Sequence, residues 1–289
     1  MAETLIRPFL IGLGGDSGSG KKTVSEALAS VVGEENLLVI SMDGYHKWNR
    51  EEMKLKTITH LNPEANHLHL ASEHAKQLKA GKTIWRVIYD HATGQFTEPL
   101  ETIPRKFILI MGLHPYHLPE MRDLFDLKLF VSPDEDIRKE WKIYRDTNKR
   151  GYTRDQVIKI LAQRKPDSVG YIRAQEQYAD LVVNYFALGD IHGKALDGQL
   201  GASFIYHGYP KADLRLMQKL FHECQMYAAL EGNAFTVTGE NSEQDVKNMA
   251  HILFDFSRSI LQKNVIWKKG VPGICQLLFA LEIDRRYTL

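Results

Sequence analysis

At 289 residues the chain is long enough for one large α/β domain or two small ones. Its 37 basic residues nearly cancel its 36 acidic ones, which argues against the basic surface of a nucleic-acid binder and against a polybasic membrane anchor. The two cysteines, Cys224 and Cys275, form no C-x-x-C, which excludes a disulfide framework or a cysteine zinc site, and no window approaches the ~20 apolar residues of a membrane span; a cytoplasmic protein is the default expectation.

In chain order, the apolar run Phe9 to Leu13 reads as a strand and passes into Gly15-Asp16-Ser17-Gly18-Ser19-Gly20-Lys21, after which Thr23 to Ala29 reads as a helix. That string is a phosphate-binding loop in its proper setting. Its glycines let backbone N–H groups turn toward a polyphosphate, the helix N-terminus adds partial positive charge, and Lys21 supplies a mobile cation. Gly15, Asp16, Ser17, Gly18, Ser19, Gly20, Lys21, Lys22 and Thr23 are therefore the candidate nucleotide contacts, with a nucleoside triphosphate as the expected ligand. Lys22 breaks the pattern, because it stands where Ser or Thr normally offers Mg²⁺ a hydroxyl. Thr23 does not rescue it: one residue along a helix turns a side chain by about 100°.

Further apolar, strand-like runs follow at Leu37 to Met42, Phe107 to Met111, Leu127 to Val131 and Leu181 to Tyr185. Alternating with helical stretches, they predict an α/β fold, a mostly parallel sheet with helices on both faces. Between the second and third runs, residues 54–104 form an irregular insertion with one convincing helix, Ala71 to Lys79. A segment of that length inside a compact domain is usually functional, and it begins where ligands bind open α/β sheets. Helices are expected from Asp134 to Lys149 and from Thr153 to Gln163, with Ser132 and Thr153 as N-terminal caps. The first carries Arg138, Lys142, Asp146 and Arg150 at i, i+4 spacing, with Arg145 beside Asp146. The pattern alone fits a solvated ion-pair face as well as a basic lid. In the final third, strands are expected at Phe204 to His207 and Phe235 to Thr238, and helices at Leu214 to Leu230 and Asp245 to Gln262.

Seven collinear blocks carry a specific likeness: Met42-Asp43-Gly44-Tyr45-His46-Lys47-Trp48-Asn49-Arg50, Leu61 to Asn66, Ile88 to Gly94, Gly112-Leu113-His114-Pro115, Trp141 to Tyr152, Arg164-Lys165-Pro166-Asp167 and Gln177 to Asp180. Together they resemble the phosphoribulokinase family over about residues 10–185. The resemblance implies a P-loop NTPase-type kinase that moves the ATP γ-phosphate to the 1-hydroxyl of ribulose 5-phosphate, with ATP and Mg²⁺ as cofactors. It implies Asp43 as catalytic base, with Lys21, Lys142, Arg145 and Asp146 completing the catalytic set. His46, Arg50, Tyr89, His91, Arg150 and Arg164 are implied as contacts to the sugar phosphate. Taken by itself, Asp43 reads more readily as a turn or cap residue than as a base.

Two departures fall at metal-handling positions. Lys22 replaces the loop hydroxyl, and Met111 replaces the Glu that the family carries just before Gly-Leu-His; a thioether does not hold a hard cation. Asp43 and Asp146 remain as candidate metal ligands. Three readings stay open: an active kinase whose Mg²⁺ is held mainly by phosphates and water, a nucleotide-binding relative without catalysis, and a uridine kinase-like enzyme with another small alcohol acceptor. An interaction protein that binds a ligand only for structure is the rival from another class. The family's thiol control needs a loop cysteine; here the loop has Ser17 and Ser19, and no Cys precedes Cys224. The expected organisation is a kinase core over 1–186, with the substrate insertion at 54–104 and a helical lid at 134–165. An α+β extension over 187–289 is expected to pack on the same globule. The expected partners are ATP and a small sugar phosphate, with no nucleic acid or membrane and a homodimer left open.

Overall fold

The structure, a computed structural model, describes residues 7–189, 200–208, 210, 212–254 and 265–287. In chain order its elements are β1 (Phe9–Gly15), α1 (Lys21–Val32), β2 (Leu37–Ser41), α2 (Arg50–Lys54) and α3 (Leu68–Lys79). Four short strands follow, β3 (Ile84–Arg86), β4 (Tyr89–Asp90), β5 (Gln95–Phe96) and β6 (Leu100–Thr102). Then come β7 (Phe107–Gly112), α4 (Pro119–Arg122), β8 (Leu127–Val131), α5 (Glu135–Arg150), α6 (Arg154–Asp167) and β9 (Leu181–Ala187). The final third holds β10 (Leu200–Tyr206), α7 (Leu214–Glu223), β11 (Tyr227–Glu231), β12 (Ala234–Thr238), α8 (Glu243–Leu253) and α9 (Gly270–Tyr287).

The five apolar runs read as strands pair into a parallel block, β9-β8-β1-β7-β2, and β10, β12 and β11 extend it antiparallel into one eight-stranded sheet. β1 lies inside the parallel block, with Leu13 opposite Met111 on one side and Leu129 on the other. Its side chains alternate between two cores, as the period of a strand requires. Phe9, Ile11 and Leu13 face the core that includes α1 and α9, whereas Leu10 faces the core that includes α3. Gly12 and Gly14 share the face of Leu10, because the buried ring of Tyr116 lies across them. A Cβ on Gly12 would stand 2.6 Å from Tyr116 Cε1, and Tyr116 Oη donates to Leu129 O at 2.8 Å.

Several expected elements are corrected. The helix from Leu214 stops at Glu223; Gln225 takes φ 60°, and residues 227–231 form β11 instead. The helix-forming run Ala228-Ala229-Leu230-Glu231 is overridden by pairing with β12 across the two-residue turn Gly232-Asn233, where Gly232 has φ 59°. Asp134, not Ser132, is the N-cap residue of α5, and the Ser132 hydroxyl donates to Glu176 Oε2 at 2.7 Å. Thr153 caps α6 as expected, in a capping box with Gln156. α8 runs from Glu243 to Leu253, and residues 255–262 of the expected Asp245 to Gln262 helix lie outside the described residues. The expected helix Ala71 to Lys79 begins earlier, at Leu68, and short antiparallel pairs, β3 with β6 and β4 with β5, fill the rest of the insertion.

α9 was not apparent from the pattern. It is buried continuously from Gly273 to Ile283, so it shows no amphipathic stripe. Its buried Gln276 donates to Ser30 Oγ at 2.6 Å and to Ile266 O at 2.9 Å, so the amide enters the core with its hydrogen bonds made. Among the described residues no helix is long and apolar enough to cross a membrane.

Gly12→Ala is expected to overpack the ring of Tyr116 and lower the unfolding free energy by about 1–3 kcal/mol, read as a lower urea midpoint at unchanged slope. An unchanged midpoint would show that the ring has room to move.

Candidate active site

The loop that follows β1 is a backbone cup. Gly18 at φ 85° and Gly20 at φ 96° take conformations that other residues rarely adopt, and a Cβ on Gly18 would lie 2.9 Å from Lys142 Cβ. Lys21 folds back over the cup, its Nζ donating to Gly15 O at 2.7 Å and Asp16 O at 2.8 Å. Asp16 points away from the opening. It is 5% exposed, accepts from Ser17 N and from the Ser168 hydroxyl, and pairs with Arg138 at 3.3 Å. Arg138 also donates to Ser17 O at 3.1 Å, so one guanidinium joins the loop to α5.

The charged row of α5 is packed inward rather than solvated: Arg138, Lys142 and Asp146 are all buried. Asp146 accepts from Lys142 Nζ and Arg145 Nε, each at 2.8 Å, and Arg150 lies 3.5 Å away. Lys142 Nζ and Arg145 Nη2 come within 3.5 Å and 3.4 Å of Ser17 Oγ. Burial would raise the pKa of Asp146, but its hydrogen bonds from Arg145 and Lys142 hold it below the ordinary carboxylate value. Burial draws Lys142 down to about 8 against the pull of Asp146, and draws Lys21 down to about 8 against Asp16 and Asp43.

Asp43 sits in the turn Met42–Tyr45 just beyond β2, where Ser41 Oγ accepts from its amide at 3.3 Å. His91 Nε2 donates to Asp43 Oδ2 at 2.8 Å, and His46 Nε2 lies 3.6 Å from Oδ1. Desolvation would raise the pKa of Asp43. The His91 hydrogen bond and the nearby His46, His91 and Lys21 outweigh it, so the carboxylate stays ionised across the neutral range. Asn66 Nδ2 donates to His60 O and Asn62 O, which turns Asn66 Oδ1 toward His46 Nδ1 at 2.7 Å. Burial lowers the pKa of His46, so Nδ1 carries the proton and Nε2 faces Asp43 with a lone pair. Arg50 donates to the carbonyls of His91 and Ala92, holding the turn that presents His91.

Residues 17–23, Asp43, His46, Arg50, Tyr89, His91, Arg145, Arg150 and Arg164 all line one cleft of about 1550 Å³. Gly15, Asp16, Lys142 and Asp146 lie behind its surface. Sequence reasoning missed His60, whose ring stacks on His46 at 3.8 Å and whose pKa burial lowers to about 3; no motif marks it, and only the tertiary contact does. It also gave Arg138 no place at the site, although the i, i+4 row contained it. The cleft is reached from the final third as well, by Leu200, Val271 and Pro272.

The two positions expected to offer Mg²⁺ an oxygen carry none. The side chain of Lys22 is 86% exposed and pairs with Glu26 at 3.6 Å, while Met111 brings a thioether to the cleft from the end of β7. Asp43 and Asp146 are engaged by the partners given above, and the described residues gather no group of three or more His, Cys, Asp or Glu suited to a metal. An ion arriving with a nucleotide would keep phosphate and water oxygens as its ligands.

The profile of the Phosphoribulokinase / Uridine kinase family matches residues 10–192. The chain is 40% identical over 183 residues to the phosphoribulokinase of Synechocystis sp., covering 63% of this chain and 55% of that protein. It is 36% identical over 209 residues to the chloroplastic phosphoribulokinase of Mesembryanthemum crystallinum, covering 65% and 53%. To the uridine kinase of Lactiplantibacillus plantarum it is 36% identical over 184 residues, covering 61% and 87%. The chain thus spans about half the length of the phosphoribulokinases it matches. Among solved structures, a phosphoribulokinase from Rhodobacter spheroides overlays with a TM-score of 0.68 at 21% identity, covering 86% of this chain and 95% of that one; the likeness is one of fold.

Lys21 and Lys142 lose their charge as pH rises through about 8, where an ordinary lysine keeps it, and a bound anion would favour the charged form. Affinity of the ligand-free protein for triphosphate is therefore expected to fall about tenfold per titrating lysine between pH 7 and 9. Isothermal titration across that range checks it, and a flat profile would show that neither lysine titrates there.

Proposed function

The chain belongs to the Phosphoribulokinase / Uridine kinase family, and we propose that it is an ATP-dependent kinase that phosphorylates the 1-hydroxyl of ribulose 5-phosphate. The observation that carries this reading is the placement of Asp43 and the Lys21 loop in one cleft, close enough for each to perturb the ionisation of the other. On this reading the loop amides and the N-terminus of α1 hold the β- and γ-phosphates. Lys21 exchanges the carbonyls of Gly15 and Asp16 for phosphate oxygens. Arg145 and Arg150, kept in place by Asp146, face the charge that builds on the transferred group.

Asp43 receives the proton of the attacking hydroxyl, and His91 aims it. A carboxylate held so firmly ionised is a weak base. That suits a loose transition state, in which the hydroxyl gives up its proton late and positioning counts for more than proton affinity. His46 Nε2 offers an acceptor to a sugar hydroxyl, while Arg164 gives an anionic substrate a planar partner. That half of the cleft favours a phosphorylated sugar over a neutral nucleoside, which is why the uridine kinase-like reading ranks second. We further read residues 1–186 as the kinase core, with 54–104 as its substrate insertion, 134–165 as its lid and 187–289 as an extension.

Steady-state assays with ATP, Mg²⁺ and ribulose 5-phosphate are expected to show transfer. Asp43→Asn should lower kcat by about 10²–10⁴-fold with the dissociation constant for ATP little changed. An unaltered kcat in the variant would remove Asp43 from this role. A parent protein that binds ATP but phosphorylates neither a pentose phosphate nor uridine would establish the reading without catalysis.

A further inference from the structure

A divalent ion between a P-loop and its nucleotide is ordinarily held from the protein side by two groups: the hydroxyl that follows the loop lysine and an acid from a neighbouring strand end. Here the first position is Lys22 and the second, at the end of the strand paired with β1, is Met111. Three oxygens near the loop are already engaged or turned away. Asp16 is turned inward to Arg138 and Ser168, and Ser41 Oγ is occupied by the Asp43 amide. Ser19 Oγ is buried behind the loop, 2.7 Å from where a Cβ on Gly15 would stand.

What stands in place of those oxygens is charge. Lys22 lies in the first turn of α1 and lines the cleft, and its tie to Glu26 is an exposed pair of little strength, free to exchange for a better anion. Its four-carbon stem lets the ammonium swing toward phosphates seated in the cup. With Lys21, Lys142 and Arg145 already turned on the loop, a metal-free triphosphate finds its charge met by the protein itself.

We propose that this site binds nucleoside triphosphate without requiring a metal, Lys22 doing by charge what a metal-binding hydroxyl does by coordination. Magnesium enters as a passenger on the nucleotide, with no protein oxygen in its shell. The inference rests on the reading of the loop as a nucleotide site, and it concerns binding rather than turnover.

The test is calorimetric titration of ATP at pH 7, in EDTA and in excess Mg²⁺, on the parent protein, on Lys22→Ser and on the Lys22→Ser/Met111→Glu double variant. The parent is expected to bind metal-free ATP and MgATP with dissociation constants within about threefold of each other, or to favour the metal-free form. Lys22→Ser should weaken metal-free ATP by about tenfold and MgATP less, because MgATP carries less charge for the ammonium to meet. The double variant should bind MgATP more tightly than metal-free ATP by about tenfold or more. Met111 is half-buried, so Lys22→Ser alone decides the point should the double variant fail to fold. A parent that prefers MgATP by about tenfold or more overturns the inference and leaves the kinase reading standing. Failure to bind ATP in either condition overturns both.

Discussion

The buried carboxylate of Asp16 is the joint on which the site depends. A loop with glycines at 15, 18 and 20 loses much conformational freedom on ordering, and it needs an anchor inside the protein. Asp16 provides one by gathering three parts of the chain: the Ser17 amide of the loop itself, Arg138 on α5, and Ser168 in the π-helical turn after α6. A buried ion pair holds only when its remaining hydrogen bonds are made, and here they are. Arg138 spends its other donors on Ser17 O and Glu135, and Glu135 in turn pairs with Arg173. The loop therefore does not sit on the sheet alone. Its shape is tied to α5, which carries the cationic row, and to the turn after α6, so phosphates and basic side chains share one frame.

The charges in that frame are unequal by design of position. Asp146 faces several cations, and Asp43 has the His91 hydrogen bond and Lys21, which keeps both ionised despite burial. Lys21 and Lys142 carry depressed pKa values because those carboxylates only partly offset their loss of water. A cluster with more buried cation than carboxylate is completed by an anion, and a polyphosphate is the anion that the backbone cup is shaped to take. The histidine wall behaves differently. His46 and His60 are kept neutral by burial, so beside the charge of Arg164 they add hydrogen bonds and flat ring surface to that side of the cleft.

What could be read from the sequence follows the range of the interactions involved. The five parallel strands were legible because strands buried on both faces become continuous apolar runs, and the loop was legible because its chemistry is contained in seven consecutive residues. α9 was hidden for a related reason: buried on all sides, it lacks the polar face by which a helix announces its period. β11 was read as helix because local propensity in Ala228 to Glu231 points that way and the pairing that overrules it lies across a turn. The placement of Asp43, Lys21, Arg145 and Arg150 in one cleft followed the phosphate loop and the collinear blocks. The stacking of His60 on His46 and the turning of Asp16 away from the cup are contacts between distant segments, and they leave no local trace in sequence.

The final third bears on the same cleft through the helix that begins at the loop. α9 packs along α1, Ile274, Leu277 and Leu281 lying in one core with Val24, Leu28 and Val31, and Gln276 fastens the pair through Ser30. Val271 and Pro272, at the start of α9, line the same cleft as the first turn of α1. The family match ends at residue 192, yet the overlay on the Rhodobacter spheroides structure covers 86% of the chain. A scaffold can keep its shape while its sequence drifts, provided the buried faces stay apolar and the few buried polar groups stay paired. α9 meets both conditions. The orientation of α1, and with it the direction in which the N-terminus of that helix points at the cup, is consequently set from both ends of the chain.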